Sequence, residues 1–245
     1  TIDCSIVFNG QIIVARGGDI HRGTTSGSWT SLTTSLGTAT RAYDFEKFNF
    51  DGTDKIIIAT GHSPAQIINS SFAVDVVNAT GGGTAPSNPK FVKVFQNHMF
   101  YAGATNSQEV IFSVPFAEDN FTSASGAGSF RVDSTVVGLK VFRNELIVFC
   151  EDRIYKLTGT TSSNFAVQEV TRNIGCRDAG SIQEIGGDVI FLAPDGLRTI
   201  AGTARIGDVE LGSISRQIQS RIDEVTLDRI CLLYTSDAAD DTPCV

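Results

Sequence analysis

The chain is poor in the residues on which most enzymatic and metal chemistry depends. Its 245 residues include three histidines, one methionine and one tryptophan. No apolar run approaches the roughly 20 residues of a membrane-spanning helix, which excludes that class. No basic segment followed by an apolar one opens the chain, so no secretory signal is visible, although it opens on Thr1 rather than Met. The five cysteines, Cys4, Cys150, Cys176, Cys231 and Cys244, are odd in number and form no C-x-x-C pair. They read as ordinary thiols, not a disulfide or zinc framework. Basic residues are also scarce, 19 against 27 acidic ones for a net charge of −8. That balance argues against a surface that neutralises nucleic-acid phosphates. What is present is a 41% hydrophobic composition with 24 glycines, enough for a folded core rich in turns.

The motif search yields little. H-E-x-x-H, the G-x-S-x-G elbow and the phosphate-loop lysine are absent. Gly126-Ala-Gly128 lacks the third glycine and following helix of a dinucleotide fingerprint. His21, His62 and His98 fall in different contexts and read as surface or strand-edge residues. Asp51-Gly-Thr-Asp54 sets two carboxylates in one turn but lacks the further oxygen ligands of a calcium loop, so it reads as a hairpin turn. Glu118-Asp119 and Glu151-Asp152 are adjacent pairs on inter-strand loops, where carboxylates are solvated, and not a separated acid/base pair. Asn69, Asn78 and Asn120 fit an N-glycosylation pattern that matters only in a secreted eukaryotic protein. The expectation is a non-enzymatic protein with no cofactor, no metal and no catalytic residue.

A repeat carries the positive signal. Gln11–Ala15, Lys55–Ala59, His98–Ala102, Glu145–Phe149 and Asp188–Leu192 each open on a polar residue and continue with four apolar ones. Their starts lie 44, 43, 47 and 43 residues apart. Ahead of each lies a turn signal: Asn9-Gly10, Asp51-Gly52, Gln96-Asn97, Arg143-Asn144 and Gly186-Gly187. These residues tolerate the positive φ of a tight hairpin. Third strands fit 19–22, 66–69, 109–112, 153–157 and 197–200, and fourth strands fit 72–77, 130–132 and 165–170. Four short strands in about 44 residues match a β-propeller blade of about 40 to 50 residues. The sequence therefore predicts an all-β fold, a β-propeller with about five four-stranded blades visible over residues 1–212, in a ring that need not be complete. The alternative is a β-sandwich with evenly spaced hairpins, which needs no fixed long period. Residues 80–84 with Pro86 and Pro89 read as a loop between the second and third units, and 123–129 as a loop within the third. Ser213 is positioned to cap a short helix within 213–230 carrying Ile214, Ile218 and Ile222.

Composition changes after Ile230. Residues 231–245 resemble the translation of a transposase-type sequencing adapter and are expected to be an artefact rather than a domain, the remainder being a fragment from shotgun, metagenomic DNA. Without Asp237, Asp240 and Asp241 the net charge is −5, from 19 basic and 24 acidic residues, and three cysteines remain.

Two segments carry a resemblance. Residues 137–159, VGLKVFRNELIVFCEDRIYKLTG, and 173–200, NIGCRDAGSIQEIGGDVIFLAPDGLRTI, resemble segments of virion structural proteins of tailed bacteriophages. The rhythm is similar to packaged-DNA-stabilisation (tail-accessory) proteins and to propeller-bearing tail nozzle or hub proteins. Residues 112–121 resemble an inter-strand segment of the same group; the resemblance extends over 90–220 and meets the first two units only in period. It implies assembly with other virion and tail subunits, a virion location and no membrane. It also implies an acidic surface past which DNA moves without tight binding. Two other readings remain open. One is a carbohydrate-binding or glycan-processing propeller, which should repeat aromatics and carboxylates in each blade, whereas Trp29 stands alone. The other is a bacterial scaffold propeller for protein–protein contact.

Overall fold

The computed structural model describes residues 4–24, 26–33, 43–104 and 107–201. The helix expected within 213–230, the segment 231–245 and Cys231 and Cys244 lie outside them. The described residues form five antiparallel sheets, four of four strands and one of three, each in simple chain order. Blade 1 holds β1 (Cys4–Phe8), β2 (Gln11–Arg16), β3 (Asp19–Gly23) and β4 (Trp29–Thr33). Blade 2 holds β5 (Asp44–Phe50), β6 (Thr53–Ala59), β7 (Gln66–Asn69) and β8 (Val74–Val76). Blade 3 holds β9 (Phe91–Phe95), β10 (His98–Ala102), β11 (Glu109–Phe112) and β12 (Gly128–Arg131). Blade 4 holds β13 (Val136–Phe142), β14 (Glu145–Cys150), β15 (Ile154–Thr158) and β16 (Ala166–Thr171). Blade 5 holds β17 (Gln183–Ile185), β18 (Asp188–Ala193) and β19 (Gly196–Thr199), so its described part is one strand short of the expected four.

Each blade opens on a two-residue hairpin whose central residues both have positive φ: Asn9 46° and Gly10 71°, Asp51 48° and Gly52 82°, Gln96 49° and Asn97 65°, Arg143 48° and Asn144 61°, Gly186 60° and Gly187 79°. Both residues in the left-handed region define the type I′ turn, whose twist matches that of the paired strands. The residue ahead of the turn pairs across it with a polar residue in every blade: Phe8 with Gln11, Phe50 with Thr53, Phe95 with His98, Phe142 with Glu145 and Ile185 with Asp188.

Strand periodicity then divides each blade into two faces. Ile56 and Ile58 pack with Phe8, Ile13 and Ile20 of blade 1, while Ile57 and Ala59 pack with Val92, Met99 and Tyr101 of blade 3. Phe100 and Ala102 turn the other way, onto Leu146, Val148 and Leu157 of blade 4. Ile147 and Phe149 in turn meet Val189, Phe191 and Ala193 of blade 5. Four apolar clusters thus stand in a row, one between each pair of successive blades. A second strand sandwiched between two such clusters has no solvent face, which is why these segments read as continuous apolar runs.

The first strands are innermost: β1 contacts β5, β5 contacts β9 and β9 contacts β13. The fourth strands are outermost, and most of β4 and β16 is exposed. Between blades 2 and 3 the gap is filled by two loops, contributing Ala79, Ala85, Phe121 and Ala127. The glycine-rich 80–84 segment is therefore part of the packing, tied down by Phe121 N to Gly82 O at 3.2 Å and Thr122 Oγ1 to Gly81 O at 2.5 Å.

Candidate functional site

The innermost strands carry a part-buried cluster of charged side chains. β9 pairs with β10 on one edge, which leaves the amides of Val92 and Val94 on its other edge facing blade 2. A bare strand edge needs partners for such groups. Two carboxylates on β5 supply them: Val92 N donates to Asp44 Oδ2 at 3.0 Å and Val94 N donates to Glu46 Oε1 at 3.3 Å. Lys93 closes the cluster, with Nζ 2.8 Å from Glu46 Oε2 and 3.6 Å from Asp44 Oδ1. Burial raises the pKa of Asp44 against the pull of Lys93. Burial also works against the charge on Lys93, but Asp44 and Glu46 together hold its pKa above the ordinary lysine value. Farther along the array Lys140 on β13 stands 4.0 Å from Glu184 on β17. The inner strands are thus cross-linked by ion pairs, and their carboxylates hold strand edges together.

Removal of the shared cation should therefore be costly. Lys93→Met leaves Asp44 and Glu46 facing each other with no counter-charge, and a loss of about 3 kcal/mol is expected, in the range for breaking a part-buried pair. Urea unfolding at pH 7 measures it. The deficit should shrink as pH falls, because burial raises the pKa of Asp44 and its protonation removes the repulsion.

The carboxylates singled out in the sequence are mostly engaged. Glu118 is 4% exposed rather than solvated, because Lys55 of blade 2 reaches across to pair with it. The neighbouring Tyr101 hydroxyl donates to the Glu118 carbonyl at 2.6 Å, and burial pushes that phenol well above its usual pKa. Asp152 lies 3.7 Å from Arg153, which also pairs with Asp133 at 3.3 Å and Glu169 at 3.7 Å. Asp54 accepts from Asn49 at 2.7 Å and pairs with Lys47 at 3.4 Å, contacts that hold its carboxyl below the usual range. Asp51 forms the hairpin turn with Gly52. Among the described residues no three potential ligands cluster as a metal site.

His98 corrects the expectation of a surface histidine. It is 1% exposed, its Nδ1 is 2.6 Å from the carbonyl oxygen of Ser113, and its ring stands edge-on to Phe112 and Phe165 at 5.5 and 5.3 Å. It heads the second strand of blade 3, where the apolar run leaves room for a ring with one polar partner. Burial lowers its pKa below 6.5. The unfolded chain then binds a proton that the folded chain refuses, so stability falls as pH drops below about 6.5, by up to about 1.4 kcal/mol per pH unit. His98→Phe should flatten that part of the pH profile of the urea midpoint. His62 is exposed and His21 is half-buried on β3. Cys4 is half-buried on β1; Cys150 and Cys176 are buried thiols, and burial pushes Cys150 to about 12 and Cys176 to about 11, which makes both unreactive.

The eight turn residues named from the sequence, Asn9, Gly10, Asp51, Gly52, Asn97, Asn144, Gly186 and Gly187, all occupy the first hairpin of a blade and so lie along one side of the array. Some are bonded to the next blade. Asn9 Nδ2 donates to Ser70 O at 3.1 Å, Gln96 Nε2 to Asn144 Oδ1 at 2.8 Å, and Arg143 to Gly187 O at 2.7 Å. Phe116, 48% exposed, joins that side through its amide on Asn97 O at 2.8 Å and stacks on Phe48. A shallow pocket of about 210 Å³ lies beside blade 3, lined by Thr84, Glu109, Ile111, Phe121, Gly128 and Ser129.

Radial four-stranded sheets, first strand inward, with an apolar cluster between successive sheets, decide the architecture. The fold is a β-propeller. Solved propellers agree with it. The extracellular domain of BT4673 from B. thetaiotaomicron superposes with a TM-score of 0.59 at 13% identity, over 89% of this chain and 28% of that one. A chain of the mitotic checkpoint complex gives 0.54 at 13%, over 81% and 62%. A catalytically inactive virginiamycin B lyase from Staphylococcus aureus gives 0.51 at 13%, over 81% and 69%. This propeller therefore spans well under a third of the BT4673 domain. Its sequence matches no protein-family model and no curated protein. No helix among its described residues is long and apolar enough to cross a membrane.

Proposed function

We propose that this propeller is a non-enzymatic structural component of a tailed-phage virion, in the tail or head–tail connector, where it docks on neighbouring virion subunits. The observation that carries the reading is the resemblance of residues 137–159 and 173–200, which form the first three strands of blade 4 and the whole described part of blade 5. The packing is consistent with such a role. A row of blades locked by four apolar clusters and inter-blade ion pairs is a stiff scaffold whose exposed loops are free to vary. The net negative charge of the chain, −8, suits a surface past which DNA moves without sticking. The genes flanking the coding sequence test the reading. Portal, terminase or capsid genes are expected beside it, and a transporter or metabolic operon would contradict it. Tight binding of double-stranded DNA by the purified protein at physiological salt would overturn the DNA-passage part.

A further inference from the structure

Outer strands close two of the gaps between blades with apolar side chains. Leu32 of β4 and Val74 of β8 pack into the cluster between blades 1 and 2. Phe130 of β12 and Phe165, just ahead of β16, pack into the one between blades 3 and 4. The gap between blades 2 and 3 differs. Asp75 on β8 pairs with Ile67, and Ser129 on β12 pairs with Ile111. Both partners pack in the apolar cluster of that gap, so Asp75 and Ser129 share its two facing surfaces. Polar residues thus stand where those other two gaps are plugged, and the pocket of about 210 Å³ opens here.

Ile111 and Phe121 give the pocket an apolar floor, Gly128 adds backbone, and Thr84 and Ser129 bring two exposed hydroxyls. The loop that carries Phe121 is held in place, with Val114 N donating to Asn120 O at 2.8 Å and Thr122 N to Asn120 Oδ1 at 3.0 Å. Glu109 lies two residues ahead of Ile111 on β11, on the same face and about 7 Å along the strand, so a carboxylate marks one end of the floor. Arg131, opposite Glu109 on β12, donates to Gln108 Oε1 at 3.3 Å and does not line the pocket. Small-molecule sites begin at roughly 300 Å³ and enclose their ligand. A smaller, shallow pocket suits one protruding side chain of a partner protein. An apolar floor that ends on a carboxylate fits a side chain with an apolar stem and a cationic tip. Arginine fits better than lysine. Its planar guanidinium is weakly hydrated, and its N–H groups outnumber what one carboxylate accepts, leaving donors for the Thr84 and Ser129 hydroxyl oxygens. Asp75 across the gap and the net charge of −8 add attraction for a basic partner. We infer that this pocket between blades 2 and 3 is a docking site for an arginine side chain presented by a partner protein. It serves a basic partner of any origin and does not rest on the virion reading.

Titration of the isotope-labelled full chain with the blocked peptide acetyl-Gly-Arg-Gly-amide, followed by amide NMR shifts, tests this. The amides of Thr84, Ile111, Gly128 and Ser129 should shift saturably, with a dissociation constant in the millimolar range expected of one anchor without its interface. The citrulline counterpart keeps the shape and loses the charge, and it should bind about tenfold more weakly. Glu109→Gln should weaken the arginine peptide by a similar factor. Ser129→Phe, which fills the mouth from an exposed position, should abolish the shifts and leave the circular-dichroism melt unchanged. Equal binding of the two peptides overturns the inference, and so do shifts that survive either substitution or cluster away from the pocket. No shift in the millimolar range also overturns it, as does a response of these amides to methyl glucoside in place of the arginine peptide. None of these outcomes bears on the genes that flank the coding sequence.

Discussion

Gly175→Ala should destabilise the protein by on the order of 3 kcal/mol, the upper end for overpacking a site that cannot relax. A Cβ at position 175 would lie 2.1 Å from the carbonyl oxygen of Glu151 and 2.4 Å from the amide nitrogen of Asp152. Both are backbone atoms, and the backbone around them is pinned. Cys176 N donates to Cys150 O at 2.8 Å, Cys150 N to Arg153 O at 2.9 Å and Glu151 N to Thr135 O at 3.0 Å. The added methyl therefore forces apart the connector that leads from blade 4 into blade 5. Gly10→Ala provides the contrast. Gly10 has φ of 71° but nothing within 4 Å of its Cβ position, so only backbone strain of about 1 kcal/mol applies. In a chain of this size the two variants should melt lower by roughly 9 °C and 3 °C.

Phe100→Ala should cost about 4 kcal/mol, as buried phenylalanine truncations do. Phe100 is fully buried, with ring centroids of Phe112 at 5.2 Å, Phe165 at 5.9 Å and Phe95 at 6.0 Å. The consequence reaches beyond the lost contacts, because blades contact only their neighbours and cooperativity is transmitted interface by interface. Loosening the interface between blades 3 and 4 should part the array there. Trp29 is the sole tryptophan and lies in blade 1, so its fluorescence reports one side of the break while circular dichroism reports every blade. In the parent protein the two urea transitions should coincide; in Phe100→Ala they should separate. Coincident transitions in the variant would mean that the blades do not behave as stacked units.

The hairpin turns and second strands are legible in the sequence because both obey strong local rules. Asn9-Gly10 and Gly186-Gly187 carry the positive φ of the turn in their residue types, and Ile56, Ile57 and Ile58 are apolar on consecutive positions because both faces are covered. The first strand of blade 2 is hidden because its charges break the apolar pattern: Asp44, Glu46 and Lys47 all lie within seven residues. Their partners, the amides of Val92 and Val94 and the Lys93 ammonium, are more than forty residues away, a pairing that local pattern does not encode. β4 is hidden for the opposite reason, since an outermost strand such as Trp29–Thr33 needs no apolar face and reads as loop. His98 and Glu118 escape a sequence reading for one shared reason. Each reads as exposed from its polarity and is buried by a neighbour met only on folding, the Ser113 carbonyl for one and Lys55 for the other.

Strand-resolved hydrogen exchange tests the radial order of the blades most directly. The second strands β6, β10 and β14, paired on both edges and covered on both faces, should exchange slowest. The amides of Val92 and Val94 should approach that protection, although they lie on the unpaired edge of a first strand, because Asp44 and Glu46 hold them. Amides on the outer edges of β4 and β16 should exchange orders of magnitude faster. Val92 and Val94 exchanging like free edge amides, or β16 protected as fully as β14, would contradict an inward first strand and an outward fourth.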